Sequence, residues 1–450
     1  MNTVNKALSA LRRAIPLKGG VAATAQTVMV NILVLGLNFG TGVITARILG
    51  PDGRGAQAAM QMWPRIMAIA LTIGLPTALL YNLRRSPEKG SQLFSAALLM
   101  GLGMGFLATL AGMIFVPLWL TQYSPEVVRS AQLLMLFSPA ILLVTAFSSV
   151  LRARQEFTAF NAVRYLIPML TLLILALLAL THNLAPFNAA LAYLLAQVPI
   201  FLWLLVRLWR AYSPRLRELR ASFHSLTSYG FRSYGIDLLG QLVAGQVDRI
   251  LVVGFLDPTA LGLYIVAVSL ARMMDVFPAA VAQVVLPKAA SRPLEEVLAL
   301  TGRGFRVSTT ISVVSASLLA ILGPWVLSLV YGQEFLEAVP IFRLLLAEVV
   351  LSGATWILAQ SFMAYDRPGL VSITQVVGVS LSMPLLIVLV PKYGLFGAGL
   401  AVLISTIVRF IFVLANFPIS LGVRPPRLWP RWSDFAAIIN RRGDDREDRS

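Results

Sequence analysis

The chain has 450 residues, of which 58% are hydrophobic and only 13% are charged, and its mean hydropathy is +0.79. Soluble domains carry about a quarter charged residues, so this composition argues against a soluble enzyme, a disordered chain and a fibrous repeat. The absence of cysteine excludes disulfides, thiol nucleophiles and Cys-ligated metals. His182 and His224 are too few and too far apart for a metal cluster. The sequence indicates a membrane protein with several spans, without catalytic residues or a cofactor.

Apolar stretches of about 20 residues, long enough to cross a bilayer as helices, recur along the chain. They predict an all-α membrane protein with twelve transmembrane helices in two six-helix bundles, 25–206 and 228–420. A segment 1–24, a basic linker 207–227 and a tail 421–450 complete the predicted organisation. The predicted spans are 25–49, 57–83, 91–119, 127–150, 159–181, 186–206, 228–256, 259–287, 305–331, 338–363, 370–390 and 395–420.

Basic residues predict the orientation of these spans. Most of the 37 lysines and arginines lie on the side of the two termini, and the opposite loops hold only Arg47, Arg54, Arg129 and Lys392. This asymmetry predicts an inner-membrane protein with both termini in the cytoplasm. The formal charge of +17 is then a signal of topology and of contact with lipid headgroups, and no nucleic-acid partner is expected. The basic linker predicts an amphipathic helix on anionic lipid.

An internal repeat relates the two predicted bundles. A shift of 207 residues places Pro51, Gly55 and Arg65 on Pro258, Gly262 and Arg272. Near the end of each half, the pattern F-x-A-x-L-A recurs at 187–192 and 396–401, a shift of 209. Both halves begin and end on the same side, so we expect a pseudo-two-fold axis along the membrane normal, which is typical of transporters with a site between the halves near mid-membrane.

Polar side chains recur on one face of each of the predicted helices 1, 2, 7 and 8, and these faces predict a shared cavity. A charge inside the bilayer is costly and is by default a candidate for function. Arginine offers a positive fork that suits phosphate or carboxylate, whereas an acid can exchange a proton or sodium. The predicted substrate-binding residues are Asn38, Gln61, Arg65, Gln241, Arg249 and Arg272. The predicted ion-coupling residues are Asp237, Asp248, Asp275 and Glu348.

Structural alternatives stay open for several of these charges. Arg272 and Asp275, at positions i and i+3, also suit a static ion pair between helices. Asp248, Arg65 and Arg272 lie at similar predicted depths, at 1.5 Å per helical residue, and can pair with each other or share a ligand. Arg249, like Arg343, can also extend towards an interface, and Arg409 is compatible with either role.

Several segments resemble the polysaccharide flippases, the family of O-antigen and exopolysaccharide flippases in a superfamily shared with multidrug MATE exporters and lipid II flippases. The similar segments are ARILGPDGRGAQAAMQMW (46–63), GLPTALLY (74–81), DRILVVGFLDPTALGLYIVAVSLA (248–271), YGQEFLEAVPIFRLLL (331–346) and VPKYGLFGAGLA (390–401). The resemblance implies a cationic central cavity and alternating access that moves an undecaprenyl-pyrophosphate-linked oligosaccharide across the membrane. It places Arg65 and Arg272 on helices with cavity arginines and Asp248 at an acidic position of helix seven. Twelve spans rather than fourteen disfavour the lipid II branch.

The leading hypothesis is therefore a flippase for a lipid-linked oligosaccharide, with proton or sodium coupling as an open possibility. Its expected partners are that lipid, the bilayer, and a polysaccharide polymerase or chain-length regulator. A cation-coupled multidrug exporter is the alternative within the same fold, although a cavity for cationic drugs should be net acidic. A membrane polymerase or ligase would need a large outer loop, and no predicted outer loop exceeds about ten residues.

Overall fold

The computed structural model describes residues 20–214, 219–243, 247–289 and 293–430, and this part of the chain is helical without any strand. Short 3-10 turns lie at Pro87–Lys89, Met135–Phe137, Arg272–Asp275 and Gln333–Ala338. The α-helices are α1 (Gly20–Ala70), α2 (Leu75–Arg85), α3 (Gly90–Trp119), α4 (Pro125–Leu134), α5 (Ser138–Ala153), α6 (Phe157–Leu180), α7 (Pro186–Leu195), α8 (Gln197–Tyr212), α9 (Leu219–Val243), α10 (Val247–Phe255), α11 (Pro258–Ala271), α12 (Val276–Ala289), α13 (Leu294–Val330), α14 (Val339–Ala364) and α15 (Pro368–Leu421).

Within the described residues, nine helical stretches are long and apolar enough to cross a membrane. Two of them, Met29–Ala70 and Pro368–Leu421, each extend through two of the spans expected from the sequence. The expected span 228–256 is divided between α9 and α10, on either side of residues 244–246, which lie outside the described part. The chain is thus a helical protein with many candidate spans, and the twelve-helix arrangement stays a prediction.

The boundaries expected between the first two spans and between the last two each coincide with a break in helical geometry, but the expected loops are absent. Loops were expected at 50–56 and 391–394, but α1 and α15 pass through these positions with a single non-helical residue each, Gly50 (φ 65°) and Gly394 (φ 56°). Glycine adopts positive φ without a steric penalty, so each helix changes direction there without a polar loop. Arg54, expected in an outer loop, is consequently buried and donates a hydrogen bond to Gln57.

The expected span 57–83 is instead interrupted. Helix α1 ends at Ala70, and α2 begins after Gly74, whose φ is 68°. Pro76 in the first turn of α2 suits a helix start, because a proline there removes a backbone donor that would have no intrahelical partner anyway. Arg65 therefore lies about one and a half turns before the end of α1.

The predicted basic linker is not a separate surface helix in the part that is described. Residues 207–212 complete α8 and residues 219–227 begin α9, while 215–218 lie outside the described residues. Residues 1–19, in the predicted N-terminal segment, and residues 431–450, in the predicted tail, also lie outside the described residues. The first residue of the predicted tail, Leu421, ends α15, and residues 422–430 follow it. The division into bundles at 25–206 and 228–420 stays a prediction.

Helix α1 crosses α11 at very short distance. A Cβ atom added at Gly55 would overlap the carbonyl of Pro258, and one added at Gly262 would overlap the carbonyl of Pro51. These are the residues that the 207-residue shift superimposes, so each repeat presents the same surface to the other. A pair of elements related by a two-fold axis makes reciprocal contacts of this kind. Small residues here let the two backbones approach closely, as at other helix crossings in membranes.

We expect Gly55→Ala to destabilise the protein by about 1–3 kcal/mol, because the added methyl group forces α1 and α11 apart in a packed interface. The measurement is thermal unfolding of the purified protein in detergent. Gly103→Ala in α3 is the matched control, since a Cβ there meets no atom within 4 Å. Equal melting temperatures for the two variants would contradict the close crossing.

Candidate functional site

Two arginines that are far apart in the sequence lie near each other in the structure. Arg65 on α1 and Arg249 on α10 are near enough to act on each other electrostatically. Arg65 is exposed on the surface of α1. Among the described residues, neither guanidinium has an ion-pair or hydrogen-bond partner, and the Nε of Arg249 is buried without one. The arrangement thus concentrates positive charge.

Asp248 precedes Arg249 but makes a different contact. Its Oδ2 accepts a hydrogen bond of 2.6 Å from the hydroxyl of Tyr264 on α11, and its Oδ1 is buried without a hydrogen-bond partner. The sequence left open that Asp248 pairs with Arg65 or Arg272. In the described part of the chain it forms an ion pair with neither. One carboxylate oxygen therefore remains available to a ligand or to an ion.

Glu348 joins two arginines inside the second half. Its carboxylate, on α14, is fully buried and lies 3.3 Å from Nη2 of Arg272 and 3.7 Å from Nη2 of Arg409 on α15. Thr406 donates a 3.0 Å hydrogen bond to Glu348 and accepts one of 2.6 Å from Arg409. We call Arg272, Glu348 and Arg409 the buried charge triad. The ion-coupling role predicted for Glu348 stays a prediction.

Asp275 contributes a second acid beside the buried charge triad. Its Oδ2 lies 3.7 Å from Nη1 of Arg272, so the i, i+3 pair suggested by the sequence forms at a long distance. The side chain of Asp275 is 44% exposed. The contact is loose compared with a direct charge-assisted hydrogen bond of about 2.7–2.9 Å, and Asp275 keeps acceptor capacity.

A cavity of about 270 Å³ opens next to the buried charge triad. It lies entirely within the second half, and its wall includes Arg272, Asp275, Gly353, Trp356, Gln375 and Arg409. Two glycines permit this geometry. A Cβ at Gly353 would come within 2.7 Å of the ring of Pro278, and a Cβ at Gly378 would overlap the side chain of Arg409. Close helix packing thus positions the arginine at the cavity wall.

The other predicted site residues have mixed placements. Gln61 contributes a buried Oε1 that lacks a hydrogen-bond partner. Asn38 is exposed on α1, and its backbone carbonyl accepts a hydrogen bond from the hydroxyl of Thr41 within the same helix. The side chains of Asp237 and Gln241 lie outside the described residues. In the described part, no three His, Asp or Glu side chains group as a metal site would require.

Several contributors were missed by the sequence analysis. Tyr264 lies in a strongly apolar helix and gives no signal that it contacts Asp248. Thr406 lies three residues before Arg409, and this helical spacing was the signal that could have identified it, whereas Gln375 is 34 residues away and gives no such signal. In the sequence, Trp356 cannot be distinguished from a lipid-facing aromatic residue, because its surroundings depend on the packing of the neighbouring helices.

Known proteins resemble this chain in sequence. A family model described as polysaccharide biosynthesis protein matches residues 21–291. The curated relative "Probable flippase AglR" from Haloferax volcanii is 23% identical over 222 residues, covering 47% of this chain and 44% of the relative. The chain thus spans less than half the length of this relative.

Solved structures show the same fold at low identity. The lipid II flippase MurJ, in an inward closed conformation, aligns with 90% of this chain and 88% of its own, with a TM-score of 0.73 and 17% identity. An inward-facing multidrug resistance MATE family transporter of the MOP superfamily aligns with 86% of this chain and 95% of its own, with a TM-score of 0.66 and 17% identity. These likenesses concern the fold.

Proposed function

Since this chain belongs to the polysaccharide biosynthesis protein family, as the sequence resemblance predicts, we propose that it flips a lipid-linked oligosaccharide across the inner membrane. The substrate in this proposal carries an undecaprenyl-pyrophosphate anchor, and the chain works as two six-helix bundles with both termini in the cytoplasm. It performs no covalent chemistry. The name of AglR and the MurJ-like fold support transport of this kind.

The observation that carries the proposal is the pair Arg65 and Arg249. Two like charges held together away from bulk water repel each other, and an anion between them relieves that repulsion. A diphosphate carries negative oxygens on both phosphorus atoms, and each guanidinium can contact it through two N–H groups. Because the two arginines come from different halves, a diphosphate bound there would connect α1 to α10.

Movement of the substrate follows from the crossing of the two halves. Gly55 and Gly262 hold α1 against α11, and rocking of one half against the other would open this contact while closing the opposite end. The polyprenyl chain stays in the bilayer, where burial of hydrocarbon costs nothing. Each sugar hydroxyl that leaves water costs about 2–7 kcal/mol unless the protein replaces its hydrogen bond, so the polar headgroup must travel through a polar interior.

Coupling to an ion gradient is part of the same proposal. Asp248 is the described acid best suited to bind a proton or sodium ion, because its Oδ1 has no hydrogen-bond partner while Tyr264 holds its Oδ2. It neighbours Arg249 in sequence, so a change in its charge alters the field at the arginine pair. A polysaccharide polymerase or a chain-length regulator is the proposed protein partner.

The test is a strain that lacks the gene, in which the lipid-linked oligosaccharide is quantified on each leaflet together with the surface polymer. We expect the lipid-linked unit to accumulate on the cytoplasmic leaflet while the polymer is lost, and expression of the chain to restore both. A drug-susceptibility panel accompanies the measurement. Normal polymer with increased sensitivity to cationic drugs would assign the chain as a multidrug exporter and overturn the proposal.

A further inference from the structure

We propose that the 270 Å³ cavity beside the buried charge triad binds one uncharged sugar of the transported glycan. This inference rests on the proposed function and adds a second subsite to it. The diphosphate then binds at Arg65 and Arg249, and the sugar binds within the second half.

Charge balance separates the two subsites. The cavity presents Arg272 and Arg409, but Glu348 lies within ion-pair distance of both, and Asp275 adds a second negative charge. Two positive and two negative groups leave no net charge to attract a diphosphate. Beside Arg65 and Arg249 the described chain places one acid, Asp248, which forms an ion pair with neither, so the pair keeps a net positive charge. A neutral polar ligand fits the cavity, and an anion fits the arginine pair.

The cavity wall has the chemistry that recognises a sugar. Trp356 lines it with a side chain that is 41% exposed. The C–H groups of a pyranose ring form an apolar face that packs against an indole, while its hydroxyl groups need hydrogen bonds at the edge. An aromatic platform beside polar groups meets both needs.

Hydrogen-bonding groups at this wall remain available. The Nε of Arg409 is buried without a hydrogen-bond partner in the described structure. The side-chain oxygen of Gln375 accepts a 3.3 Å hydrogen bond from Arg409, which leaves its NH2 group free to donate to a ligand. Asp275 offers carboxylate oxygens. The Gln375 amide and the Asp275 carboxylate thus give a ligand in the cavity one donor group and one acceptor group.

The size of the cavity sets the size of the ligand. Pockets for drug-sized ligands range over about 300–1,000 Å³, so 270 Å³ suits one sugar ring rather than a whole oligosaccharide. We therefore expect recognition of a single residue of the glycan, with the rest of the glycan lying outside the cavity.

The experiment measures binding of defined lipids to the purified full chain by native mass spectrometry. The probes are undecaprenyl pyrophosphate and the same lipid carrying one N-acetylglucosamine, N-acetylgalactosamine, glucose or galactose. We expect at least one glycosylated lipid to bind about tenfold more tightly than the bare lipid. Trp356→Ala and Gln375→Ala should each reduce that gain, and Trp356→Phe should retain most of it.

Two controls separate this inference from the proposed function. Trp325→Ala removes an exposed tryptophan of α13 outside the cavity and should leave the gain unchanged. Arg65→Gln should weaken the bare and the glycosylated lipids by the same factor. The inference is overturned if bare lipid binds but no sugar adds affinity, or if the gain survives both Trp356→Ala and Gln375→Ala. If neither type of lipid binds, the proposed function fails instead.

Discussion

Arg65→Gln should abolish restoration of surface polymer in a strain that lacks the gene, while the variant accumulates in the membrane at the wild-type level. The substitution removes one of two guanidiniums that act on each other electrostatically. Truncating one partner of a buried charged contact costs about 2–5 kcal/mol, so affinity for the diphosphate should fall by a factor of about 30 or more. The folded protein tolerates the change, because it relieves repulsion with Arg249.

The measurement compares three variants for polymer at the surface and for lipid-linked oligosaccharide on the cytoplasmic leaflet. Arg65→Lys keeps the charge but loses the planar fork, so we expect partial transport. Arg343→Gln is the matched control. It also removes an arginine charge from a candidate span, but this side chain is exposed and donates to the carbonyl of Ala320. Normal polymer with Arg65→Gln would refute the anion site, whereas equal defects in Arg65→Gln and Arg343→Gln would indicate a general need for positive charge.

The sequence was sufficient to predict the helical membrane class and the contact between halves. Hydropathy alone predicts long apolar helices, because a backbone in lipid must satisfy its own hydrogen bonds. The 207-residue shift singled out Pro51 and Gly55 with Pro258 and Gly262, which the structure brings into reciprocal contact. The sequence placed breaks at 50–56 and 391–394, where the chain changes direction, but it could not show that a single glycine of positive φ takes the place of a loop.

The repeat also suggested that Arg65 and Arg272 are equivalent, and the structure gives them different surroundings. Arg65 faces Arg249, whereas Arg272 lies beside Glu348 and Asp275. A helical pattern shows which face a residue occupies, but the partner on the neighbouring helix depends on tertiary packing. Residues 272, 348 and 409 are separated by more than 60 positions each, so no local spacing could predict the buried charge triad.

Glu348→Gln should lower the free energy of unfolding by about 1–3 kcal/mol, because it removes the carboxylate beside the largely buried Arg409, whereas Arg272 is 38% exposed and keeps Asp275. The amide can still accept the hydrogen bond from Thr406, so the change in stability reports the removal of the negative charge alone. The measurement is thermal or denaturant-induced unfolding of the purified protein in detergent. Asp275→Asn is the control, and we expect a change within about 1 kcal/mol because its carboxylate is partly exposed and its ion pair is long.

A second substitution distinguishes charge balance from ion coupling. If Glu348 neutralises the arginines, Glu348→Gln combined with Arg409→Gln should recover part of the lost stability, since one unpaired charge is removed. If Glu348 instead exchanges a proton or sodium ion, as the sequence suggested, Glu348→Gln resembles the protonated state and should be as stable as the wild type. Transport by that variant would then no longer depend on the ion gradient. Unchanged stability with lost gradient dependence would therefore reassign Glu348 from a structural counter-ion to the coupling group.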